Sequence, residues 1–494
     1  MHLNLQQLHA PEWAQKGYDL PKFDVERVRA AAPRWVHFGA GNIFRSFIAC
    51  AQQTVLDKGL CDHGIVVCEG FDPEIVERAY RPFDNLSVAV SLKANGGIDK
   101  RLVASVVESL TFADMARLQE IFASPALQMA SFTITEKGYD PKFAHAPGSL
   151  MGTLADLLRH RMRTSAAPIA LVSMDNCSRN GEKLQNVIEM LAEGDAEFAA
   201  YLREKVTFPW TMIDKITPRP DPRVAEMLRQ DGFEDTELII TARKTYTAAF
   251  VNAEEKEYLV IEDNFPNGRP PLEAAGIYFA GRETVSNVER MKVTTCLNPL
   301  HTALAVFGCV MGYETICAEM GDPLLKKLVE RIGYVEGLPV VVSPGIIDPK
   351  TFIDEVVNER LPNVFLPDTP QRIATDTSQK LAIRFGETIK AHVARGDVDA
   401  LVGIPLALAG WFKYLSGVGD DGAPFALSPD PRLPLFAEPL TAENAGRLIP
   451  PVLRDTSIFG LDLEEAGLAN RVLAYAQDML AGTARAVLER ELKD

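Results

Sequence analysis

The sequence predicts an α/β protein, with a mostly parallel sheet flanked by helices in an N-terminal domain and an all-helical second domain. Three observations predict this. The 494 residues exceed what one hydrophobic core serves, which favours two domains of roughly 200 to 280 residues. A strand, a glycine turn, an amphipathic helix and a second strand follow one another between Arg34 and Asp72. From about Asn287 the strand-like runs give way to successive amphipathic stretches, broken at Pro339, Pro344-Gly345 and Gly419 to Pro424. The expected division is residues 1–286 and 287–494.

Arg34 to Phe38 (RWVHF) reads as a short buried strand that runs into Gly39-Ala40-Gly41-Asn42. Ile43, Phe44, Phe47, Ile48, Ala51, Val55 and Leu56 then recur at helical spacing until Lys58-Gly59 supplies a cation and a C-cap glycine. Gly64 to Cys68 (GIVVC) is a second apolar strand, with Glu69 and Asp72 at its C-terminal end. This order is that of a Rossmann-like βαβ unit that binds a dinucleotide. Leu86 to Lys93 and Leu102 to Val107 alternate around Ala94-Asn95-Gly96-Gly97, a hairpin with an Asn-Gly turn that interrupts the parallel order. Further strands are expected at Gln128 to Thr135, Ile169 to Met174 and Glu237 to Thr241, and one mostly parallel sheet can hold them all.

Apolar residues at 47% and charged residues at 24% are ordinary globular values. The net charge of -16 is spread without a basic stripe, so the long-range field repels nucleic acid and anionic membranes, and neither is an expected partner. An anionic small molecule would need locally placed Arg or Lys. The leader MHLNLQQLHAPEW lacks the pattern of a signal peptide, and no run of about 18 apolar residues suggests a membrane span, so a cytoplasmic location is expected. Seven cysteines without paired spacing read as reduced thiols. Eight scattered histidines, with no HExxH and no CxxC, give no metal site. Monomer and dimer both remain open.

The first chemical candidate is the turn GAGNIF. Gly39 would permit the tight bend and Gly41 the close approach of a pyrophosphate, with Asn42 and Ile43 opening the helix. The third glycine of the dinucleotide fingerprint is replaced by Phe44, so taken alone the motif is equally an ordinary strand-to-helix turn. Glu69, 28 residues after Gly41, or Asp72 would accept the ribose hydroxyls and repel an extra phosphate, which makes NAD the expected cofactor. The second candidate is MKVTTCLNPLHTALA, Met291 to Ala305. Asn298 followed by Pro299 matches an N-cap with proline at the first helical position, which places His301 in the first turn and Lys292 just before it. Dehydrogenation of an alcohol needs a base for the hydroxyl proton and donors to hold charge on that oxygen. Lysine, asparagine and histidine supply both, provided burial lets the lysine shed its proton near neutral pH. The bland alternative is a capping Asn298, a core His301 and a surface Lys292.

Several separated segments, taken together, resemble the mannitol dehydrogenase family of long-chain polyol dehydrogenases. They are VHFGAGNIFR, FTITEKGY at Phe132 to Tyr139, SMDNCSRNG at Ser173 to Gly181, VTFPWTMIDKITP at Val206 to Pro218, VIEDNFPNGRP at Val260 to Pro270, the LNPLH block, and TDTSQK at Thr375 to Lys380. The resemblance runs in family order over nearly the whole chain. It implies a Rossmann-like NAD-binding domain, a helical substrate domain and a metal-free site in the cleft between them. Lys292 resembles the family's base, and Asn298 and His301 the pair that polarises the reacting oxygen. Asn176 and Asp214 resemble substrate-contacting positions, Arg372 and Lys380 the binders of more distant substrate oxygens, and Glu136 a glutamate near the base that relays protons. Two differences stand out. Lys292 and Asn298 are one residue further apart than is usual in the family, which a local helical bulge would absorb, and Pro299-Leu300 replaces Gly-Ser. Thr241 to Glu262 lacks the family's Cys-Glu-Pro-Phe run.

The expected activity is NAD-dependent hydride transfer at a secondary alcohol of a linear sugar acid or sugar alcohol. The pair D-mannonate/D-fructuronate is favoured because Lys215, Arg219, Arg372 and Lys380 offer local cations for a carboxylate. Mannitol/fructose and altronate/tagaturonate are alternatives, with arabinitol also open. From another class, a catalytically inactive NAD-binding sensor or scaffold would keep the fold without the turnover.

Overall fold

A computed structural model describes residues 1–493 of the chain. They form two compact units. One runs from Met1 to Ser286 apart from the turn Ala94–Gly96, and the other from Asn287 onward.

The first unit is built on a parallel sheet of Trp35–Phe38 (β1), Ile65–Glu69 (β2), Val106–Thr111 (β3), Met129–Phe132 (β4), Ile169–Ser173 (β5) and Val206–Thr207 (β6). The spatial order is β3-β2-β1-β4-β5-β6, the dinucleotide-binding order, with the reversal of strand order beside β1. The central strands are apolar throughout because both faces are covered. Alternate residues feed opposite cores: Val36, Phe38, Val66 and Cys68 pack with Leu154 and Leu158, whereas Trp35, Ile65 and Val67 pack with Phe47 and Val55.

Two strand expectations need correction. The Asn-Gly turn is present, but its second arm is Ile98–Val103, paired antiparallel with Ser87–Leu92. The hairpin does not interrupt the parallel sheet; it joins a separate sheet with Tyr18–Asp19 and Phe250–Glu254. Gln53 causes the break: its Nε2 donates to Leu102 O and its Oε1 accepts from Ala104 N, which ends one strand and frees the chain to enter β3. In Glu237 to Thr241 only Ile239–Ile240 is extended, and it pairs with Tyr246–Thr247 rather than with the main sheet. Ile240 is half exposed there, so nothing covers that face as a central strand requires.

One buried side chain ties the back of this sheet together. Arg161, fully buried, donates to the carbonyls of Phe122, Ser124, Leu127, Ala167 and Pro168, five acceptors for the five N–H groups of a guanidinium.

The second unit is helical around Asn298–Met311, which packs against Gly403–Leu415 and Pro370–Ala374. The run Arg282–Met311 contains an 18-residue window with a mean hydropathy of 1.4, long and apolar enough by composition to cross a membrane. That window is 83% buried inside the protein, which accounts for its apolarity as core packing. Several helices widen locally into π turns: Lys292–Cys296, Arg331–Gly337, Val356–Arg360 and Ala382–Gly386. Glu336, on the second of these, accepts from the amides of Val402, Gly403 and Ile404 and so caps the central Gly403–Leu415 helix.

Glu319 has no such partners. It is fully buried, both carboxylate oxygens lack a hydrogen bond, and burial holds its pKa well above the usual value of 4.5. The folded chain therefore keeps a proton that the unfolded chain releases, and the stability cost is absent at low pH and grows as pH rises above that value. Glu319→Gln is expected to raise Tm at neutral pH by an amount that widens between about pH 5 and about pH 8. Thermal unfolding followed across that range checks it, and parallel wild-type and variant curves would refute it.

Candidate active site

The glycine turn lies at the C-terminal end of β1, with Gly39 N donating to Cys68 O on β2. Gly39 has φ +106, and a Cβ there would run into the carbonyl oxygen of Thr133, just past the end of β4, so only glycine fits. At Gly41 no atom lies within 4 Å of the Cβ position, which leaves the backbone bare at the mouth of a helix. The first turn of that helix, from Asn42 and Ile43, carries N–H groups that a helix itself does not satisfy. Bare backbone, free amides and the end of a parallel strand fit a dinucleotide pyrophosphate. Phe44, in place of the third glycine, is fully buried and stacks on His37 at 4.3 Å, and the helix passes over it as the π turn Phe44–Ile48.

Both acidic residues, Glu69 at the end of β2 and Asp72 just past it, are engaged. Glu69 Oε2 accepts from Ala40 N at 2.8 Å, and Oε1 from Phe71 N and Asp72 N at 2.8 and 3.0 Å, so this carboxylate braces the glycine turn itself. Asp72, only 2% exposed, accepts from Thr241 Oγ1 at 2.6 Å. A carboxylate offers about four lone-pair sites, so Glu69 retains capacity for one more donor.

In the helical unit, Lys292 is buried (4% exposed) at the start of the π turn Lys292–Cys296, closed by Leu297 N donating to Lys292 O at 3.1 Å. The extra residue between Lys292 and Asn298 is thus absorbed as a one-residue helical widening. Asn298 is not a cap as expected: the helix begins at Asn298 with Pro299 second, and no side chain caps it. The π turn runs almost directly into the helix and leaves no extended residue for Asn298 to occupy, so its carboxamide is not spent on the helix end.

His301 follows one turn later. Its Nε2 lies 3.4 Å from Asp368 Oδ2 but without hydrogen-bond alignment, a buried ring nitrogen with no bonded partner. Burial, then Arg384, Arg372, Arg360 and Lys380, lower its pKa to about 3, so the imidazole is neutral at ordinary pH. Arg372 pairs with Asp368, and Lys380 donates to the carbonyls of Ile373 and Thr375. Arg384 donates to Thr302 Oγ1 at 2.5 Å, and burial lowers its pKa to about 10. Asp368 and Arg384 escaped the sequence reading. Asp368 is a single polar residue in the loop before the Pro370–Ala374 helix and Arg384 a single one on a π turn, and only folding gathers them around His301.

The remaining expected positions lie in the first unit. Glu136 is exposed and paired with Lys183, in a loop organised by Asp175, another residue the sequence reading passed over. Asp175 accepts from Ile134 N, Thr135 N and Tyr139 OH, holding Thr135 at φ +70. Asn176 is exposed beside it, and Asp214 ends a buried strand at 6% exposure. Lys215 is paired with Glu257, and Arg219 lies 3.9 Å over the Tyr246 ring. Among the described residues no three His, Cys, Asp or Glu side chains cluster as a metal site. All seven cysteines are free thiols, and burial pushes Cys296 and Cys309 up to about 12.

A dinucleotide-type βαβ domain joined to a helical domain that carries a buried lysine and an unbonded histidine defines a dehydrogenase. Residues 33–274 match the mannitol dehydrogenase Rossmann domain, and residues 284–480 match the mannitol dehydrogenase C-terminal domain. The chain belongs to the mannitol dehydrogenase family and is an oxidoreductase. It is 47% identical to a D-mannonate oxidoreductase of Thermotoga maritima, over 95% of this chain and 94% of that one. To the D-mannonate oxidoreductase of Escherichia coli it is 28% identical, over 94% and 96%. The fold also matches a Pseudomonas fluorescens mannitol 2-dehydrogenase solved with NAD and D-mannitol, with a TM-score of 0.73, 25% identity and 100% coverage of both chains.

Proposed function

We propose that the protein is an NAD-dependent, metal-independent oxidoreductase acting on a linear sugar acid, interconverting D-mannonate and D-fructuronate. The observation that carries this is the surround of His301: a neutral, unbonded imidazole amid Arg372, Lys380 and Arg384, of which only Arg372 is paired with a carboxylate. Such an excess of positive charge suits an anionic substrate better than a neutral polyol. The higher identity to a D-mannonate oxidoreductase than to a mannitol 2-dehydrogenase points the same way.

In this reading the first unit, residues 1–286, holds the cofactor: Gly39, Gly41, Asn42 and Ile43 receive the pyrophosphate, and Glu69 or Asp72 the adenosine ribose. NAD, when bound, would supply the acceptor for the hydride of the carbinol carbon. Lys292 takes the hydroxyl proton as that hydride leaves, and Asn298 and neutral His301 hydrogen-bond the same oxygen. Arg372 and Lys380 hold the substrate's remote oxygens, Asn176 and Asp214 contact its chain, and Glu136 passes the proton onward. Residues from 287 onward supply the base and most of the substrate contacts.

Glu69→Ala is expected to relax discrimination against NADP, read as the ratio of kcat/KM for the two cofactors. A ratio that shifts only in Asp72→Ala moves the ribose contact to Asp72. The function itself is tested by following NADH consumption by the purified protein with fructuronate, tagaturonate and fructose. Turnover of fructose alone would overturn the sugar-acid reading.

A further inference from the structure

Four cations, Arg384, Arg372, Arg360 and Lys380, stand near His301, and the three from residues 372 to 384 differ in what already holds them. Arg372 is paired with Asp368. Lys380 is held by the carbonyls of Ile373 and Thr375, and feels Asp376 and Asp430. Arg384 has one partner among the described residues, the hydroxyl of Thr302, and no carboxylate. A guanidinium carries five N–H donors, so most of its donor capacity is unclaimed, in a side chain that is largely withdrawn from water. Lost hydration without a compensating anion is costly, and a substrate anion would offset it.

Its placement is equally specific. Arg384 lies on the π turn Ala382–Gly386, which packs against the π turn Lys292–Cys296 that carries Lys292. Thr388, on the same helix, donates to Thr294 O and ties the two segments together. Thr302, which accepts from Arg384, donates in turn to Asn298 O at 2.9 Å. One hydrogen-bonded chain thus joins Arg384 to the turn bearing Asn298 and His301.

We propose that Arg384 binds the terminal carboxylate of the sugar acid and is the residue that sets the preference for an acid over the neutral polyol of the same chain length. This rests on the sugar-acid reading above and assigns its selectivity to one side chain. A planar fork matches a carboxylate with two parallel N–H bonds, which a paired Arg372 or a carbonyl-held Lys380 is less free to offer.

D-Mannonate and D-mannitol differ only in whether one end is a carboxylate or a hydroxymethyl group, so the ratio of their kcat/KM values isolates this contact. The wild type is expected to favour mannonate by at least about a hundredfold. Arg384→Gln should lower that ratio by at least about tenfold, mainly through the KM for mannonate. Added guanidinium should restore part of the loss in Arg384→Ala. If the wild type favours mannonate and the Gln variant keeps the full ratio, Arg384 does not read the carboxylate while the sugar-acid function stands. If the wild type favours mannitol, both proposals fall. Should the Gln variant not fold, Arg384→Lys decides: it keeps the charge but loses the fork, so a rise in KM for mannonate alone supports the proposal and equal changes for both substrates overturn it.

Discussion

Lys292→Ala is expected to lower kcat by at least about a hundredfold, the scale of a lost general base, with NAD affinity close to that of the wild type. The side chain is buried at the start of a π turn, in the helical unit, whereas the glycine turn belongs to the other. Removing it therefore leaves the pyrophosphate turn intact. Two controls separate a chemical role from a packing role. Lys292→Met keeps most of the buried volume and should be as inactive as the alanine variant, and a small primary amine added to Lys292→Ala should restore part of kcat. If Lys292→Met retains wild-type kcat, residue 292 is not the base.

Arg161→Met is expected to cost at least about 2 kcal/mol, because the carbonyls of Phe122 and Pro168 lose their donor at about 1–3 kcal/mol each, whereas Ala167 O keeps Tyr201 OH, Leu127 O keeps Asn267 Nδ2 and Ser124 O keeps Leu127 N. For a unit of this size that corresponds to a fall of roughly 5 °C in Tm. Lysine would not rescue it, since an ammonium has three donors and lacks the planar spread that reaches carbonyls on separate segments. Thermal unfolding of Arg161→Met and Arg161→Lys tests this. A loss under about 1 kcal/mol in either would mean that water replaces the guanidinium.

What was legible in the sequence was what repeats locally. RWVHF followed by GAGN announces β1 and its turn because burial on both faces makes the strand apolar, and because Gly39 is the one residue type its backbone admits. The Lys292 to Asn298 spacing even foretold a bulge, since one residue too many in a helix has few other places to go. Contacts decided from a distance were hidden. Leu102 to Val107 alternates as one strand would, and only the Gln53 side chain, from a different helix, divides it. Asn298 looks like a cap until the preceding π turn takes the cap's place. Asp368 and Arg384 carry no periodic or motif signal, and Asp175, although inside SMDNCSRNG, shows no role there, because each is defined by groups that meet it only after folding.

The widened turns have a consequence for anyone grafting segments between relatives. One residue more or fewer rotates everything downstream by about 100° around the helix axis. Arg45, Lys292, Arg360 and Arg384 all lie on such turns, and the residues that follow each turn take an azimuth that an unbroken α-helix would not give them. Exchanging a helix here without its surplus residue would keep every side chain in the right order along the chain and aim each of them at the wrong wall.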